Sequence, residues 1–437
     1  MITIGRPYTY VKDGKAYLKA PITVSDDTAH AYMQLKHRMH KVHWRTNENY
    51  PPKEWKQQDF GCWFAVDEEY ERYLCSETAD AFVSAMLWYA MTTGSDIVSE
   101  APVSEQMLFS VNHLLIPALC TENNGYRRIS VTGPAAKIVY EDAYGVGTGM
   151  SCGIDSFYTL WKYVDIEPKE RRLTHLAYFN MGAIFHPDSS KKTEYSLDEF
   201  YQKTDEMSEE KIRNAREVAE RSGLPLIAVS SNLDSDIYRG AYGYTAVYRN
   251  CACVLALQKL FKMYYCSSAG WPDYFDLTLS EGSEHYEALL CQCLSTESCT
   301  FLLSDYATRI EKTKAIADYD IAADYLDVCF NFHNCGSCPK CYRTLITLDL
   351  LGSADRFKPV FDVEKYKKNR GKAYGWLLHA CHADSKEDNG IFARDIKKLA
   401  KDRHAAIPAS AYGYMLIYAV IGVLVKIKHW VKNKITA

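Results

Sequence analysis

Four cysteines late in the chain are spaced like the ligands of a single metal ion. They follow the pattern Cys-x5-Cys-x2-Cys-x2-Cys, at Cys329, Cys335, Cys338 and Cys341. Tight Cys-x2-Cys turns place two sulfurs on one side of an ion, so four thiolates can surround zinc tetrahedrally. An iron–sulfur cluster fits the same spacing, and His333 could replace one sulfur. With all four cysteines bound the site is closed, so we expect a structural Zn²⁺ rather than a catalytic one.

A second segment whose residues could bind a ligand or react is the hexapeptide Ser151-Cys152-Gly153-Ile154-Asp155-Ser156. It lies where a strand is expected to end and a helix to begin, and the backbone N–H groups at a helix N-terminus bind anions. Cys152 could instead be a nucleophile, because a helix N-terminus lowers the pKa of a thiol. No partner histidine is identifiable for that role. A tight turn without a ligand is the alternative interpretation of so short a motif.

The composition limits the classes of function. The chain has 437 residues, 47% of them hydrophobic, which is enough for two or three domains with a substantial core. A formal net charge of -4 offers no electrostatic footprint for a polynucleotide, so a nucleic-acid partner is disfavoured. The first ten residues lack a secretory signal, and fifteen cysteines suit a reducing compartment. We therefore expect a cytoplasmic protein.

Three domains are expected from the patterning. Residues 1–140 predict an α+β domain, with a strand-like run at 16–24 and a helix at 77–91. Residues 141–351 predict an α/β domain that carries the hexapeptide and the cysteine cluster. Residues 352–437 predict a helical segment.

The middle domain alternates between strand and helix, which predicts a parallel sheet with helices on both faces. The expected elements are a helix at 156–163, a strand at 173–179, a helix at 209–222, a strand at 225–230 and a helix at 251–260. Gly145, Gly147 and Gly149 alternate where a buried strand normally carries branched apolar residues. Either another part of the chain approaches this strand closely, or the stretch is a loop.

The hexapeptide resembles the Ser-Gly-Gly-x-Asp-Ser signature of the PP-loop ATP pyrophosphatases, enzymes that split ATP into AMP and pyrophosphate. Cys152 stands where that family usually has its first glycine. The order of hexapeptide, cysteine cluster and Tyr342-Arg343-Thr344 is similar to that of 7-cyano-7-deazaguanine synthase and its relatives. The resemblance covers residues 144–351 and implies an adenine nucleotide alpha hydrolase-like fold.

The resemblance also implies roles for the loop. Ser151 and Ser156 would hydrogen-bond phosphate oxygens, and Gly153 would allow close backbone approach with Cys152 beside it. Asp155 would hold Mg²⁺ or orient the loop.

Other residues are expected near the nucleotide. Arg249-Asn250, placed at the opening of a helix, looks like the Arg-Asn pair of these enzymes, and Asn180 follows the second strand of the domain. Three basic residues of a predicted helix at 308–317 could reach phosphates or form a solvated helix face: Arg309, Lys312 and Lys314.

The function implied is that of an ATP-dependent ligase or amidotransferase with ATP, Mg²⁺ and Zn²⁺. A substrate carboxylate would be adenylated and converted to an amide or nitrile, on a deazapurine or another small molecule, or on a protein. A tRNA-modifying PP-loop enzyme is one alternative. A non-catalytic nucleotide sensor is another, favoured by Cys152.

The C-terminal segment allows two interpretations. Residues 405–425 carry no charged side chain, and four lysines follow them. The continuous apolar stretch is short of the roughly 20 residues that a spanning helix needs. We expect a buried terminal helix, with membrane contact through the tail as the alternative. The oligomeric state is not predicted.

Overall fold

The computed structural model describes residues 1–32, 59–122, 125–182, 197–238, 241–267, 274–278, 282–329, 333–382 and 388–435. The chain divides into two compact units. The first unit holds residues 1–151 and 162–306, and the second holds residues 152–161 and 307–437. The predicted three-domain division at residues 140 and 351 stays a prediction.

In the described residues, the first unit is built around one mixed sheet of eleven strands. The described strands are β1 (Ile2–Ile4), β2 (Tyr8–Lys12), β3 (Lys15–Val24), β4 (Asp59–Asp67), β5 (Ile97–Ser99), β6 (Val103–Ser104), β7 (Val131–Thr132), β8 (Ala135–Ala136), β9 (Gly145–Gly149), β10 (His175–Asn180), β11 (Leu226–Ser231), β12 (Phe261–Cys266) and β13 (Thr300–Leu303). The order in the sheet is β13-β12-β9-β10-β11-β4-β3-β1-β5-β7, with β2 paired to β3. Strands β6 and β8 form a separate pair.

The five strands β13-β12-β9-β10-β11 run parallel to one another. The chain starts this half in the middle, at β9, adds β10 and β11 on one side, and then crosses to add β12 and β13 on the other. The order therefore reverses between β9 and β12, and ligands of open α/β sheets bind outside the carboxyl ends of the strands at such a point. The α/β class and the mostly parallel sheet flanked by helices are confirmed.

The glycine strand β9 is a true strand that its neighbours approach closely. A Cβ added at Gly145 would lie 2.8 Å from the carbonyl oxygen of Leu260, and one at Gly147 would lie 2.6 Å from Cε1 of Phe261. Of the two interpretations of these glycines, close approach is therefore correct. Side chains at these two positions would push β12 away from β9.

The N-terminal strands continue the same sheet. Strand β4 pairs antiparallel with β11, with Ala65 opposite Ser230. Burial alternates along β3, as expected for a strand with one face on a core. Every position of the helix Asp80–Thr93 up to Met91 is buried. The predicted strand at 16–24 and helix at 77–91 are confirmed to within three residues at their starts, although the helix is buried all round rather than along one stripe.

The described helices are numbered in chain order. They are α1 (Asp80–Thr93), α2 (Glu105–Ser110), α3 (Ile116–Glu122), α4 (Ile154–Tyr163), α5 (Leu197–Arg221), α6 (Tyr242–Leu255), α7 (Glu287–Leu294), α8 (Arg309–Ile316), α9 (Asp320–Tyr325), α10 (Pro339–Leu350), α11 (Val363–Lys368), α12 (Arg370–Ala380), α13 (Asp388–Asp402) and α14 (Ser410–Ile435). The predicted helix at 251–260 is wrong in its bounds, because α6 ends at Leu255 and β12 begins at Phe261. Arg249 and Asn250 accordingly lie within α6 and do not open a helix.

The second unit is helical from α8 onward, which confirms the helical C-terminal region. Its last helix, α14, contacts α12, where a Cβ added at Gly375 would lie 2.4 Å from Cβ of Tyr414. The other side of α14 is apolar and exposed by half or more, at Tyr412, Leu416, Ile417, Val420, Ile421, Val423, Leu424 and Ile427. The expectation of a buried terminal helix is therefore wrong for this side. No helix in the described part of the chain is long and apolar enough to cross a membrane.

Candidate functional site

The hexapeptide forms a turn that leads directly into α4. Cys152 has a φ of +59°, in the left-handed region that glycine adopts most readily. Its side chain is buried, and its carbonyl oxygen accepts a hydrogen bond of 2.7 Å from the backbone N–H of Asp327. Cysteine thus takes a backbone conformation that suits glycine better, at some steric strain.

Asp155 lies in the first turn of α4, and its carboxylate contacts two cations. Nη1 of Arg309 pairs with Oδ2, and Nζ of Lys312 lies 3.3 Å from Oδ1. Burial acts to raise the pKa of Asp155, but the two cations outweigh it and hold that pKa below its ordinary value. The side chain of Lys312 is only 1% exposed. A solvated basic face therefore describes Lys314, which is exposed, but not Lys312.

The position of Arg309 is fixed by the start of α8. Thr308 caps this helix, since its hydroxyl accepts a hydrogen bond from the N–H of Glu311 and the Glu311 carboxylate accepts one from the N–H of Thr308. Such a reciprocal capping box contributes about 1 kcal/mol to helix stability. The Glu311 carboxylate is hydrogen-bonded to Thr308, whereas the Arg309 and Lys312 side chains of the same helix contact Asp155.

Two further cations come from α10. Burial, and then the neighbouring charges of Arg343 and Arg309, lower the pKa of Lys340 to about 8, while Asp155 acts in the opposite direction. The guanidinium of Arg343 lies 4.3 Å from the centroid of the Phe392 ring. Arg309 and Lys312 thus contact the partly buried Asp155 carboxylate, and Lys340 lies near enough to Asp155 and Arg343 for their charges to act on its pKa. Several basic groups near a helix N-terminus favour phosphate groups.

The four late cysteines form a compact group of thiols. The Sγ atoms of Cys329 and Cys338 are 3.7 Å apart, those of Cys335 and Cys341 are 3.9 Å apart, and all four lie within 4.8 Å of one another. Zinc–sulfur bonds of about 2.3 Å place tetrahedral sulfurs about 3.8 Å apart. The cluster therefore fits a metal ion such as zinc.

The loop around this cluster is held by backbone and amide contacts. The N–H of Cys338 points to Sγ of Cys335 at 3.3 Å, as in thiolate sites whose sulfurs accept amide hydrogen bonds. Nδ2 of Asn334 donates to the carbonyl oxygen of Leu326 at 2.7 Å, which fixes the loop. His333 is not a member of the donor group found among the described residues, and its side chain is exposed. The four-cysteine ligand set is therefore favoured over one that includes His333.

The cysteine cluster also starts the helix that carries Lys340 and Arg343. Cys338 is the N-cap of α10, and its Sγ accepts a hydrogen bond of 3.5 Å from the N–H of Cys341. A metal ion held by these thiols would consequently fix the first turn of α10. This links the metal centre to the cations near Asp155 within the second unit.

In the first unit, Arg249 is fully buried in α6. Its Nη1 donates to the carbonyl oxygen of Met181 at 2.5 Å and pairs with the Asp234 carboxylate at 2.9 Å, and its Nε donates to the hydroxyl of Thr245 at 2.7 Å. A Cβ added at Gly182 would lie 2.4 Å from the Asp234 carboxylate. Arg249 is thus a positioning residue, which fastens the chain just after β10.

The remaining predicted residues have these surroundings. Asn180 ends β10 at the carboxyl edge of the sheet, as expected, and its Oδ1 accepts a hydrogen bond of 2.8 Å from Ser208. Asn250 is partly exposed beside Arg249, and Ser151 is exposed. The hydroxyl of Ser156 donates to the carbonyl oxygen of Gly153 at 3.0 Å, so it stabilises the turn itself.

No known protein family, no curated protein and no solved structure matches this chain.

Lys340 and Phe392 were not predicted to lie near Asp155, and Arg343 was noted only within Tyr342-Arg343-Thr344. Lys340 and Arg343 lie within two residues of Cys341 in the chain, so the cysteine pattern could have pointed to them. Phe392 is brought near by α13 and carried no signal in the sequence.

Proposed function

We propose that this chain is an ATP-dependent adenylating enzyme of the PP-loop type, similar to 7-cyano-7-deazaguanine synthase. The observation that carries the proposal is the partly buried carboxylate of Asp155, held by Arg309 and Lys312 at the start of α4. Lys340 and Arg343 add positive charge to the same group. A pyrophosphate group is the ligand that suits such a site best.

The strand order supports an adenine nucleotide alpha hydrolase-like fold. The hexapeptide follows β9, the first strand of the parallel half, and the strand order reverses beside β9. Loops at such a reversal bind nucleotides in open α/β sheets. Arg249 holds the chain after β10, the next strand, in a fixed conformation.

In the proposed reaction, a carboxylate oxygen of the substrate attacks the α-phosphorus of ATP. The bond from that phosphorus to the bridging oxygen of the β-phosphate breaks, and pyrophosphate leaves. An amine or ammonia then attacks the acyl carbon, and AMP leaves with the electron pair of the acyl–oxygen bond. The cations of the second unit stabilise charge on the departing pyrophosphate, so catalysis comes from positioning and electrostatics. The acceptor is a deazapurine or another small molecule, or a protein.

Magnesium would accompany ATP and neutralise phosphate charge. Asp155 was assigned either to hold this ion or to orient the loop. Its contacts with Arg309 and Lys312 favour the second role. Zinc in the cysteine cluster would be structural, since four thiolates leave no open position.

The test measures AMP and pyrophosphate formed from ATP with magnesium, across a panel of carboxylate substrates. Lys312→Met should lower the rate by about 100-fold or more, the effect of removing one preorganised group that stabilises transition-state charge. Lys314→Met is the matched control, because Lys314 is exposed on the same helix, and it should keep the wild-type rate. Equal rates in both variants would overturn the assignment of Lys312.

Cys152 favours one other function, a nucleotide sensor that binds ATP without splitting it. In that case wild-type protein binds ATP, forms no AMP with any substrate, and gains AMP formation in Cys152→Gly. Substrate-stimulated AMP formation by the wild-type protein would exclude the sensor.

A further inference from the structure

A second group of metal-ligand side chains lies inside the first unit. Donor atoms of Cys266, Glu287 and Cys291 all lie within 4.8 Å of one another. Cys266 is the last residue of β12, Glu287 is the first residue of α7, and Cys291 follows one turn later on the same helix face. In the described part of the chain, only the four late cysteines form another group of this kind.

A third thiol, that of Cys251 on α6, lies beside this group, although it is not one of the three donors that lie within 4.8 Å of one another. The thiol of Cys251 is hydrogen-bonded to that of Cys266, and Cys266 is also hydrogen-bonded to Cys291. The four residues are buried, with exposed fractions of 1% for Cys251, 7% for Cys266, 8% for Glu287 and 2% for Cys291. The group thus offers three sulfurs and one carboxylate in a site closed to bulk water.

This donor set has a clear preference among metals. Thiolates favour zinc over magnesium or calcium, and structural zinc sites are tetrahedral and closed. Cys293 is fully buried on the same helix, but it is neither one of the three donors nor, unlike Cys251, a hydrogen-bond partner of Cys266. A cysteine can therefore be buried on this helix, as a small apolar residue, without its thiol joining the group.

We propose that Cys251, Cys266, Cys291 and Glu287 bind a second, structural zinc ion. The ion ties the end of β12 to α6 and to the first turn of α7. Because β12 is the strand beside β9 at the reversal of strand order, the ion fixes the carboxyl edge of the sheet there. Binding releases the thiol protons to solvent and requires no oxidant or reductant. The proposal does not depend on the proposed function.

The first experiment is the metal content of the wild-type protein by mass spectrometry, with zinc as the only added metal. We expect two zinc ions per chain. Glu287→Gln and Cys291→Ser should each lower the content to one, as should Cys338→Ser through the other cluster. Cys293→Ser is the matched control and should keep two.

Cobalt substitution provides a readout that does not need a variant to fold normally. Wild-type protein reconstituted with cobalt should bind two ions, both with the charge-transfer absorption of thiolate ligands. A single zinc or cobalt ion per wild-type chain would overturn the second site. So would a thiol count showing that Cys266 forms a disulfide in the freshly purified protein.

Discussion

The two units contain the same two kinds of side-chain group, and these groups have different surroundings in each unit. Each has a partly buried aspartate–arginine pair and a group of clustered thiols. In the first unit, Arg249 meets one carboxylate, one carbonyl and one hydroxyl, so its donors serve the protein itself. In the second unit, Asp155 meets Arg309 and Lys312, with Lys340 and Arg343 in addition. The first arrangement holds a chain segment in place, whereas the second gathers several basic groups near one carboxylate at the start of α4.

The thiol groups differ in how they are built. In the second unit the cysteines come from one short segment that leads into α10. In the first unit the donors come from α6, β12 and α7. A local cluster can form its site early and nucleate its surroundings, whereas a dispersed one requires the fold to be complete.

The largest expected effect is that of Cys338→Ser on the second unit. Structural zinc sites supply about 10 kcal/mol or more of binding free energy, comparable to the whole stability of a domain. The variant should lose one zinc ion, and the second unit should lose cooperative unfolding in hydrogen-exchange measurements. Cys381→Ser, a partly exposed cysteine of the same unit, is the control and should behave as wild type. Full metal content and stability in Cys338→Ser would refute the four-cysteine assignment.

A smaller effect tests whether the two aspartates differ as described. Asp155→Asn and Asp234→Asn each leave buried cations without their carboxylate, which costs about 3–5 kcal/mol. Added pyrophosphate should restore much of the lost stability in Asp155→Asn, because an anion can take the place of the carboxylate beside Arg309 and Lys312. It should restore none in Asp234→Asn, where protein groups already surround Arg249. Thermal unfolding with and without pyrophosphate measures both, and equal rescue of the two variants would abolish the distinction.

Much of the architecture could be predicted from local pattern. The alternation of strand and helix identified the parallel half of the sheet, and the cysteine spacing identified the late cluster. The start of α6 was missed because Tyr242 to Tyr248 carries tyrosines and glycine, which obscure the apolar periodicity of the helix. The continuation of the sheet through β4 and β11 could not be predicted, since strand pairing across such a distance in sequence depends on tertiary contacts.

The residues of the candidate sites also fall into those that local sequence could predict and those that only tertiary contacts bring together. Asp155 and the four late cysteines lie in compact motifs, so their residue types and spacing were sufficient. Cys266, Glu287 and Cys291 have no spacing signature, because β12 and α7 are separated by a long connection. The pairing of Asp155 with Arg309 likewise requires α4 and α8 to come together. Long-range geometry therefore accounts for what sequence reasoning could not supply.

The smallest expected effect concerns the response of the two units to mild acid. Burial lowers the pKa of His175, on β10 in the first unit, to about 4 from an ordinary value of 6.5. The unfolded chain therefore binds a proton there more readily than the folded chain, and the contribution of His175 to stability is lost as the pH falls from about 6.5 toward 4. Asp155 has a lowered pKa, so its contribution persists above the ordinary aspartate range and is lost only in stronger acid. As the pH falls from about 6.5 to about 4, the free energy of unfolding of the first unit should therefore decrease, whereas that of the second unit should not.

The variant His175→Asn isolates the contribution of His175 to the pH dependence of stability. Asparagine keeps a polar partner for the hydroxyl of Thr174, which lies 2.7 Å from Nδ1 of His175, but does not titrate. At about pH 5 the wild-type first unit should have lost about 1 kcal/mol relative to neutral pH, after allowance for partial solvent screening, and the variant should have lost less. Hydrogen exchange resolved by segment, at a series of pH values, measures this for β10 and for α8 in the same sample. The prediction is wrong if β10 and α8 lose hydrogen-exchange protection over the same pH range. It is also wrong if His175→Asn leaves the pH dependence of protection in β10 unchanged.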